Sequence, residues 1–117
     1  MQTQFGGYAR QLRERCRQAN RRFSVRQTAR RIGLEPAYLS KIERGEVSPP
    51  PEQTIRRLAV ELGEDADVLL AAAGMISSDL REIIARRPLP FTELIRGLAD
   101  LSDQELSALV KRVRNGK

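Results

Sequence analysis

Residues 24–44 read SVRQTARRIGLEPAYLSKIER, and this segment predicts two short helices joined by a tight turn. Ser24 suits an N-cap, because its hydroxyl can accept from a free backbone N–H, and Gln27 three residues later completes a capping-box pattern. The first helix should end at Gly33, where glycine adopts a left-handed backbone without strain. Pro36 is favourable at the first position of the second helix.

The buried side of this helix pair is marked by small and branched side chains. Ala29 lies where the two helices approach each other, so a larger side chain would push them apart. Leu39 and Ile42 share one side of the second helix and should lock it onto a core. A short turn, an alanine at the crossing and a glycine with positive φ together predict helix-turn-helix geometry.

The flanking sequence extends this pair into a five-helix domain. Apolar residues recur at helical spacing on both sides of it, with Gly and Pro between the segments. The five predicted helices run from about residue 5 to 20, from Ser24 up to Gly33, from Pro36 to Arg44, from the prolines at 49–51 to just before Gly63, and from about residue 65 to 73. Apolar and polar residues nowhere alternate over a sustained stretch, so no strand is expected, and the domain should span residues 1–76.

A smaller helical element, of about three helices, is predicted over residues 77–117. Three further amphipathic patterns occur there, and Pro88 and Pro90 separate the first two. The third begins with a capping box that runs from Ser102 to Glu105. The predicted fold class is therefore all-α, with a five-helix domain followed by this C-terminal element.

Composition excludes several classes of function for this chain of 117 residues. It contains no His, so the usual general base and the commonest metal ligand are missing. Cys16 is the only cysteine, which excludes an internal disulfide and a multi-cysteine zinc site. The sequence shows no long apolar run and no secretory signal. We expect a cytoplasmic protein that is not an enzyme and has no metal, cofactor or membrane segment.

Charge is distributed unevenly between the two halves of the chain. Residues 1–63 carry 13 Lys and Arg against 6 Asp and Glu, whereas residues 64–117 carry 8 against 9. A basic half joined to a near-neutral half is expected if the first meets a polyanion and the second meets protein. Charge alone is equally compatible with arginines that only solvate helix faces.

A resemblance to a known family rests on two adjacent segments. The segments SVRQTARRIGLEPAYLSKIERGEVSPP and EQTIRRLAVELGEDADVLLAAAG resemble the DNA-binding domain of lambda repressor/Cro-like (xenobiotic response element) regulators of bacteria and phages. The similarity covers about residues 5–74. Its most specific part is the run from Tyr38 to Gly45, followed by Pro and then by Leu-Ala-x-x-Leu-Gly.

The resemblance implies that the second helix of the pair reads double-stranded DNA, because in that family this helix enters the major groove. The residues that it places at base edges are Glu35, Pro36, Ala37, Ser40 and Lys41. Lys41 can donate to guanine, Ser40 can donate or accept, and Ala37 can touch a thymine methyl group. Each also suits a plain solvent-facing or capping position, and for Glu35 and Pro36 that alternative is at least as well supported by the sequence.

Phosphate contacts are expected from basic residues around the helix pair. Arg26 lies near the start of a helix, where free N–H groups and the helix dipole favour an anion. The resemblance also places a tyrosine and an arginine of the second helix near phosphates. The expected set is Arg21, Arg22, Arg26, Tyr38 and Arg44. Arg30 and Arg31, by contrast, are expected on solvated faces, with contact of one of them with the DNA backbone as the alternative.

The resemblance also implies a structural ion pair. Glu43 is similar to a glutamate that pairs, in this family, with an arginine of the first helix, and Arg13 is the expected partner. The connection between the first two helices is longer than usual for the family, so Arg17, one turn on, is the alternative. Glu46 stands where a basic residue would favour a phosphate, which lowers the affinity expected there.

The C-terminal element is expected to supply a dimer contact. Small readers of this class generally dimerise on half-sites about one helical turn, ~34 Å, apart. The expected dimerisation residues are Leu94, Ile95, Leu98, Leu106, Leu109, Val110 and Val113. The prediction is a dimeric repressor of transcription that reads an inverted repeat through residues 36–44. The alternatives are helices that pack on the first domain, or an adaptor or antitoxin-like protein whose tail binds a protein partner.

Overall fold

The computed structural model describes residues 4–116, and every regular element within that range is helical. The predicted all-α fold class is therefore confirmed. The helices are α1 (Phe5–Ala19), α2 (Val25–Arg31), α3 (Pro36–Glu43), α4 (Glu52–Leu62), α5 (Ala66–Ala72), α6 (Ser78–Arg86), α7 (Pro88–Leu98) and α8 (Asp103–Arg114). The structure divides into two compact units, one ending at Ser78 and one beginning at Asp79, whereas the sequence pattern favoured a boundary after residue 76.

The first unit is built around one apolar core shared by α1 to α5. Its buried members are Phe5, Ala9, Ile32, Ile42, Ile55, Leu58, Ala59, Leu62, Leu69, Leu70 and Ala73. They fall on one side of each helix, at the spacing that the sequence pattern predicted. Burying each large apolar side chain stabilises the folded unit by about 1.5–3 kcal/mol. The first unit therefore has a core made of its own residues.

The connection from α1 to α2 passes through a 3-10 turn at Arg21–Phe23. The Asn20 side chain caps this turn by accepting from the Arg22 N–H at 2.9 Å. Ser24 caps α2 as predicted, since its hydroxyl accepts from the Gln27 N–H at 3.2 Å. The second bond of the predicted capping box, from the Ser24 N–H to the Gln27 side chain, is wrong. The Ser24 N–H instead donates to the carbonyl at the start of the 3-10 turn, at 3.3 Å, so the turn already satisfies it.

The turn between α2 and α3 has helix-turn-helix geometry. Gly33 adopts φ +77°, the left-handed conformation predicted for it, and the Leu34 N–H donates to the Ala29 carbonyl at 2.8 Å. Ala29 is fully buried, and α3 begins with Pro36 in its first turn. A Cβ at Gly33 would make only an ordinary van der Waals contact, so backbone conformation rather than crowding requires glycine there.

The second unit is helical without a core of its own. None of residues 79–116 is buried. Ser102 and Glu105 form the predicted capping box, with the Glu105 N–H donating to Ser102 Oγ at 3.1 Å and the Ser102 N–H to Glu105 Oε1 at 2.9 Å. Pro88 and Pro90 lie in the first turn of α7, where a missing N–H costs nothing, rather than between helices. Within residues 4–116, no helix has the length and apolar character needed to cross a membrane.

Candidate nucleic-acid interface

Helix α3 has two contrasting faces. Leu39 and Ile42 are only 1% and 2% exposed, so one face is anchored in the core. Residues about half a turn away point outward, because successive residues are separated by about 100° around a helix of 3.6 residues per turn. Ala37, Lys41 and Arg44 lie on that side and are exposed. Burial of the apolar side of α3 therefore leaves its opposite side, with Lys41 and Arg44, exposed to solvent.

The five residues expected at base edges lie at or near this outward face. Glu35, Ala37 and Lys41 are exposed, whereas Pro36 and Ser40 are half-buried. Glu35 is the N-cap residue of α3, but its side chain makes no capping hydrogen bond. The sequence left open a capping role for Glu35, but its carboxylate does not cap the helix.

Arg44 is held in a polar network at the C-terminal end of α3. Its Nε donates to Glu46 Oε2 at 2.5 Å and its Nη2 to Glu46 Oε1 at 3.3 Å. Its Nη1 donates to the Ser40 hydroxyl. The Arg44 guanidinium holds the pKa of the Glu46 carboxyl below its usual value, and Glu46 raises the pKa of Arg44. The acidic residue is visible in the sequence, whereas the bridge from Arg44 to Ser40 is not.

The residues expected at phosphates are mostly exposed. Arg21 and Arg22 form the 3-10 turn directly before α2, and Arg26 lies in the first turn of that helix, which contains no acidic residue. Arg44 is exposed at the end of α3, whereas Tyr38 is half-buried and packs against the core. A helix start surrounded by basic side chains attracts anions, because free N–H groups and the helix dipole add to the side-chain charge.

A buried ion pair joins α1 to α3. Arg13 donates from Nε to Glu43 Oε2 at 2.6 Å and from Nη2 to Glu43 Oε1 at 2.9 Å, so the partner expected from the resemblance is the one present. The alternative, Arg17, is exposed. Arg13 Nη1 also donates to the Phe23 carbonyl at 3.0 Å. The hydrogen bond to Glu43 raises the pKa of Arg13, and one guanidinium thus ties α1, the 3-10 turn and α3 together.

Gly6 is a structural requirement that the sequence analysis missed. A Cβ at this position would lie 2.1 Å from the Ile42 carbonyl oxygen and 3.0 Å from that of Glu43. Helices α1 and α3 therefore touch backbone to backbone, and only glycine permits that distance. The available signal was a pair of glycines inside an amphipathic helix, where each costs about 0.5–1 kcal/mol relative to alanine. A Cβ at the neighbouring Gly7 would meet nothing within 4 Å.

The prediction that Arg31 lies on a solvated face is wrong. Its guanidinium is 5.0 Å from the centroid of the Phe23 ring and its Nε donates to Glu61. Arg31 Nη2 is buried and has no hydrogen-bond partner. Phe23 is the last residue of the 3-10 turn, and its ring offers the Arg31 cation an aromatic face on which to stack. Arg30 is exposed, as expected.

The expected dimerisation residues form an incompletely covered apolar set on α7 and α8. Leu94, Ile95, Val110 and Val113 are between 50% and 80% exposed. The other three, Leu98, Leu106 and Leu109, are half-buried. Large apolar side chains left in water at this spacing are typical of a surface that another protein covers. The geometry is compatible with the dimer prediction and does not test it.

Two features of the described residues bear on small ligands, namely metal-ligating side chains and surface grooves. Among residues 4–116, no three or more acidic or cysteine side chains are grouped so that they could hold a metal ion. A shallow groove of about 730 Å³ runs between α1 and α5. Its lining residues are Gln4, Gly7, Tyr8, Gln11, Val68, Ala71 and Ala72. The Tyr8 hydroxyl donates to Glu64 at 2.9 Å, so the one phenol in the groove is already engaged.

Comparison with known proteins places the first unit in a family. A family model described as a helix-turn-helix domain matches residues 4–73. The chain belongs to the helix-turn-helix domain family. The match contains the whole of α2 and α3 and the buried Arg13–Glu43 pair, so the helix-turn-helix domain and the site described above coincide.

One relative matches about two thirds of the chain. An uncharacterised HTH-type transcriptional regulator of Bacillus subtilis (strain 168), RghRB, is 41% identical over 76 residues, or 65% of this chain. The alignment covers 53% of RghRB, so the chain spans about half the length of this curated relative. No solved structure matches the chain.

Proposed function

We propose that this helix-turn-helix domain binds double-stranded DNA and that the protein regulates transcription. The observation that carries the proposal is the outward face of α3, where Lys41 and Arg44 are exposed while Leu39 and Ile42 anchor the helix in the core. The relative from B. subtilis is named a transcriptional regulator. The excess of basic residues in the first half of the chain favours a polyanionic partner.

In the proposed complex, α3 enters the major groove as it does in lambda repressor/Cro-like regulators, the narrower family that we propose for this domain. Lys41 donates to guanine O6 or N7, Glu35 accepts from cytosine N4, and Ala37 contacts a thymine methyl group. The residues that face base edges are Glu35, Pro36, Ala37, Ser40 and Lys41. The residues that face phosphates are Arg21, Arg22, Arg26, Tyr38 and Arg44, and they position the domain without reading sequence.

The second unit is the proposed dimerisation element. Chains below about 40 residues seldom fold alone, because they bury too small a share of their surface, and none of residues 79–116 is buried. A second copy of the chain would cover the apolar side chains of α7 and α8. A dimer with two-fold symmetry places its two DNA-binding domains on an inverted repeat, with half-sites about 34 Å apart or a multiple of that.

Repression is the regulatory outcome that we propose. A dimer bound to its operator occupies DNA that other proteins would otherwise reach, and this effect requires no catalytic step. A chain without His lacks the most frequent general base, so we propose binding rather than catalysis. Such a protein would act in the cytoplasm of a bacterial cell or of a phage-infected one.

Salt-dependent DNA binding tests the proposal. Fluorescence anisotropy should compare the full chain with a version that lacks residues 79–117, on the same duplexes and at several salt concentrations. We expect the full chain to bind with an affinity that falls with salt, by about 0.9 in logarithmic slope per phosphate contacted. The shortened chain should be monomeric by sedimentation and bind more weakly.

Two results would contradict these roles. A full chain without affinity for duplex DNA at low salt would exclude the DNA-binding function. A shortened chain that stays dimeric would exclude the second unit as the dimer element. Circular dichroism melting of the shortened chain is the control, since the core of the first unit lies wholly within residues 4–78.

A protein partner is the second candidate function. The exposed apolar residues of α7 and α8 favour it, because a different protein could cover them as well as a second copy could. An adaptor that uses its scaffold only for protein contacts would show little affinity for duplex DNA at low salt. An antitoxin-like protein would bind both DNA and its partner, so the same titration separates these two alternatives.

A further inference from the structure

We infer that Glu46 sets the base preference of α3 by acting through Arg44 on the hydroxyl group of Ser40. This inference rests on the proposed DNA-binding function and goes beyond it, because Glu46 itself lies after the end of α3 and is not a base-contacting residue. Glu46 is thus a positioning residue, and Ser40 is the group that meets the base.

The geometry that carries the inference is a chain of three side chains. The Glu46 carboxylate accepts from Arg44 at two nitrogens, Nε at 2.5 Å and Nη2 at 3.3 Å, which fixes the plane of the guanidinium. The remaining nitrogen, Nη1, then points back along α3 and donates to Ser40 Oγ. Ser40 and Arg44 are four residues apart in sequence, so they are neighbours along one side of the helix and its cap.

The bond from Arg44 changes what Ser40 can read. A free serine hydroxyl both donates and accepts, so it discriminates poorly among bases. With a guanidinium N–H on Ser40 Oγ, one lone pair is occupied and the local charge is positive, which disfavours a second donor. The hydroxyl proton is left to donate, and its partners in the major groove are the acceptors of guanine, adenine N7 and thymine O4. Amino groups of cytosine and adenine are disfavoured.

The same network limits the affinity for DNA of any sequence. The Glu46 carboxylate offsets the charge of Arg44 and repels nearby phosphates. The three hydrogen bonds occupy three of the five N–H donors of Arg44, so two remain for a phosphate. Glu46 therefore weakens binding to DNA of any sequence, and in return it defines one hydrogen bond at one base pair.

The test compares Glu46→Gln with a matched control in the full chain. Glu82→Gln removes the same charge and loosens a similar exposed pair, Glu82 with Arg86 at 3.1 Å, in the second unit. Both variants and the unaltered chain are measured on selected duplexes that differ at single base pairs, and on random duplex DNA over a range of salt. The readouts are the preference at each base pair and the slope of affinity against salt.

For Glu46→Gln we expect tighter binding to random DNA, with a logarithmic salt slope that is steeper by up to about 0.9, as for one phosphate gained. We also expect the preference at one base pair to fall about fivefold, the worth of one hydrogen bond, while the other base pairs keep theirs. Glu82→Gln should leave the preference at every base pair unchanged.

A double-mutant cycle with Ser40→Ala shows whether the effect passes through Ser40. In the Ser40→Ala background, Glu46→Gln should still tighten binding to random DNA but should not lower any base preference further. The inference is overturned if Glu46→Gln behaves like Glu82→Gln, or if it lowers the same preference equally with and without Ser40. Failure of the proposed function looks different, because the unaltered chain would then prefer no sequence at all.

Discussion

The two units of the chain have similar helices but differ in what they bury. Residues 4–78 enclose a core of apolar side chains, whereas none of residues 79–116 is buried. Both regions show amphipathic periodicity, so periodicity predicts helices in each without indicating what covers their apolar faces. The comparison teaches that the first unit covers its apolar side chains with its own residues, whereas the second leaves large apolar side chains exposed.

Removal of Arg13 should have the largest effect on the first unit. Arg13→Ala leaves Glu43 buried without its counter-charge, and we expect unfolding to become easier by about 3–5 kcal/mol. Urea denaturation followed by circular dichroism measures the change. The paired replacement Arg13→Met with Glu43→Leu should recover most of the loss, because it removes both charges. A loss below about 1 kcal/mol for Arg13→Ala would show that the pair is dispensable.

A charge on α7 should break the second unit's proposed contact and leave the first unit intact. Ile95 is 52% exposed, and Ile95→Asp should weaken dimerisation by on the order of 2–4 kcal/mol if a partner copy buries it. Sedimentation equilibrium measures the dimer constant. Val60→Asp is the matched control, because Val60 is 81% exposed on α4 of the first unit and should not affect dimerisation. Equal behaviour of the two variants would argue against a dimer through α7.

The backbone contact between α1 and α3 predicts opposite effects for two adjacent glycines. Gly6→Ala forces a methyl group against the carbonyl end of α3 and should destabilise the first unit by about 1–3 kcal/mol. Gly7→Ala meets open space in a helix and should stabilise it by up to about 1 kcal/mol. Thermal melting of the two variants checks the sign of each change. The packing account fails if both substitutions are tolerated equally.

Two substitutions that leave the fold unchanged should separate base reading from phosphate contact. Lys41→Ala should reduce discrimination at one base pair by about 1–3 kcal/mol and leave the others unchanged. Arg26→Ala should weaken all duplexes alike and lower the salt slope by about 1. Binding titrations on matched and mismatched duplexes measure both. If each variant lost the same affinity on cognate and on random DNA, the assigned roles would be wrong.

Local chemistry made most of the fold predictable from the sequence. Gly33 with positive φ, Pro36 at the start of α3 and the Ser102 capping box each depend on a few neighbouring residues, and each was confirmed. The expected capping box at Ser24 failed because the 3-10 turn before it already used the Ser24 N–H. Sequence spacing could not show that turn, which is capped by the Asn20 side chain and tied to α1 by the bond from Arg13 to the Phe23 carbonyl.

The site was less predictable, because its decisive contacts join residues far apart in sequence or side chains with several possible partners. Gly6 matters only because α3 passes against it, and Arg31 leaves solvent only because Phe23 and Glu61 meet it there. The acidic character of Glu46 was visible, but the three bonds that organise Arg44 depend on rotamers. The sequence allowed us to predict which helix faces are exposed. It did not allow us to predict which side chains form hydrogen bonds and ion pairs with each other.

Selection of bound duplexes from a random DNA pool, carried out with the full chain, tests the central claim most directly. If α3 reads the major groove in a two-fold dimer, the enriched sequences will share an inverted repeat whose half-sites are about 10–10.5 base pairs apart, or a multiple of that. A pool that binds but shows no enriched sequence, or that fails to bind at low salt, would contradict the account.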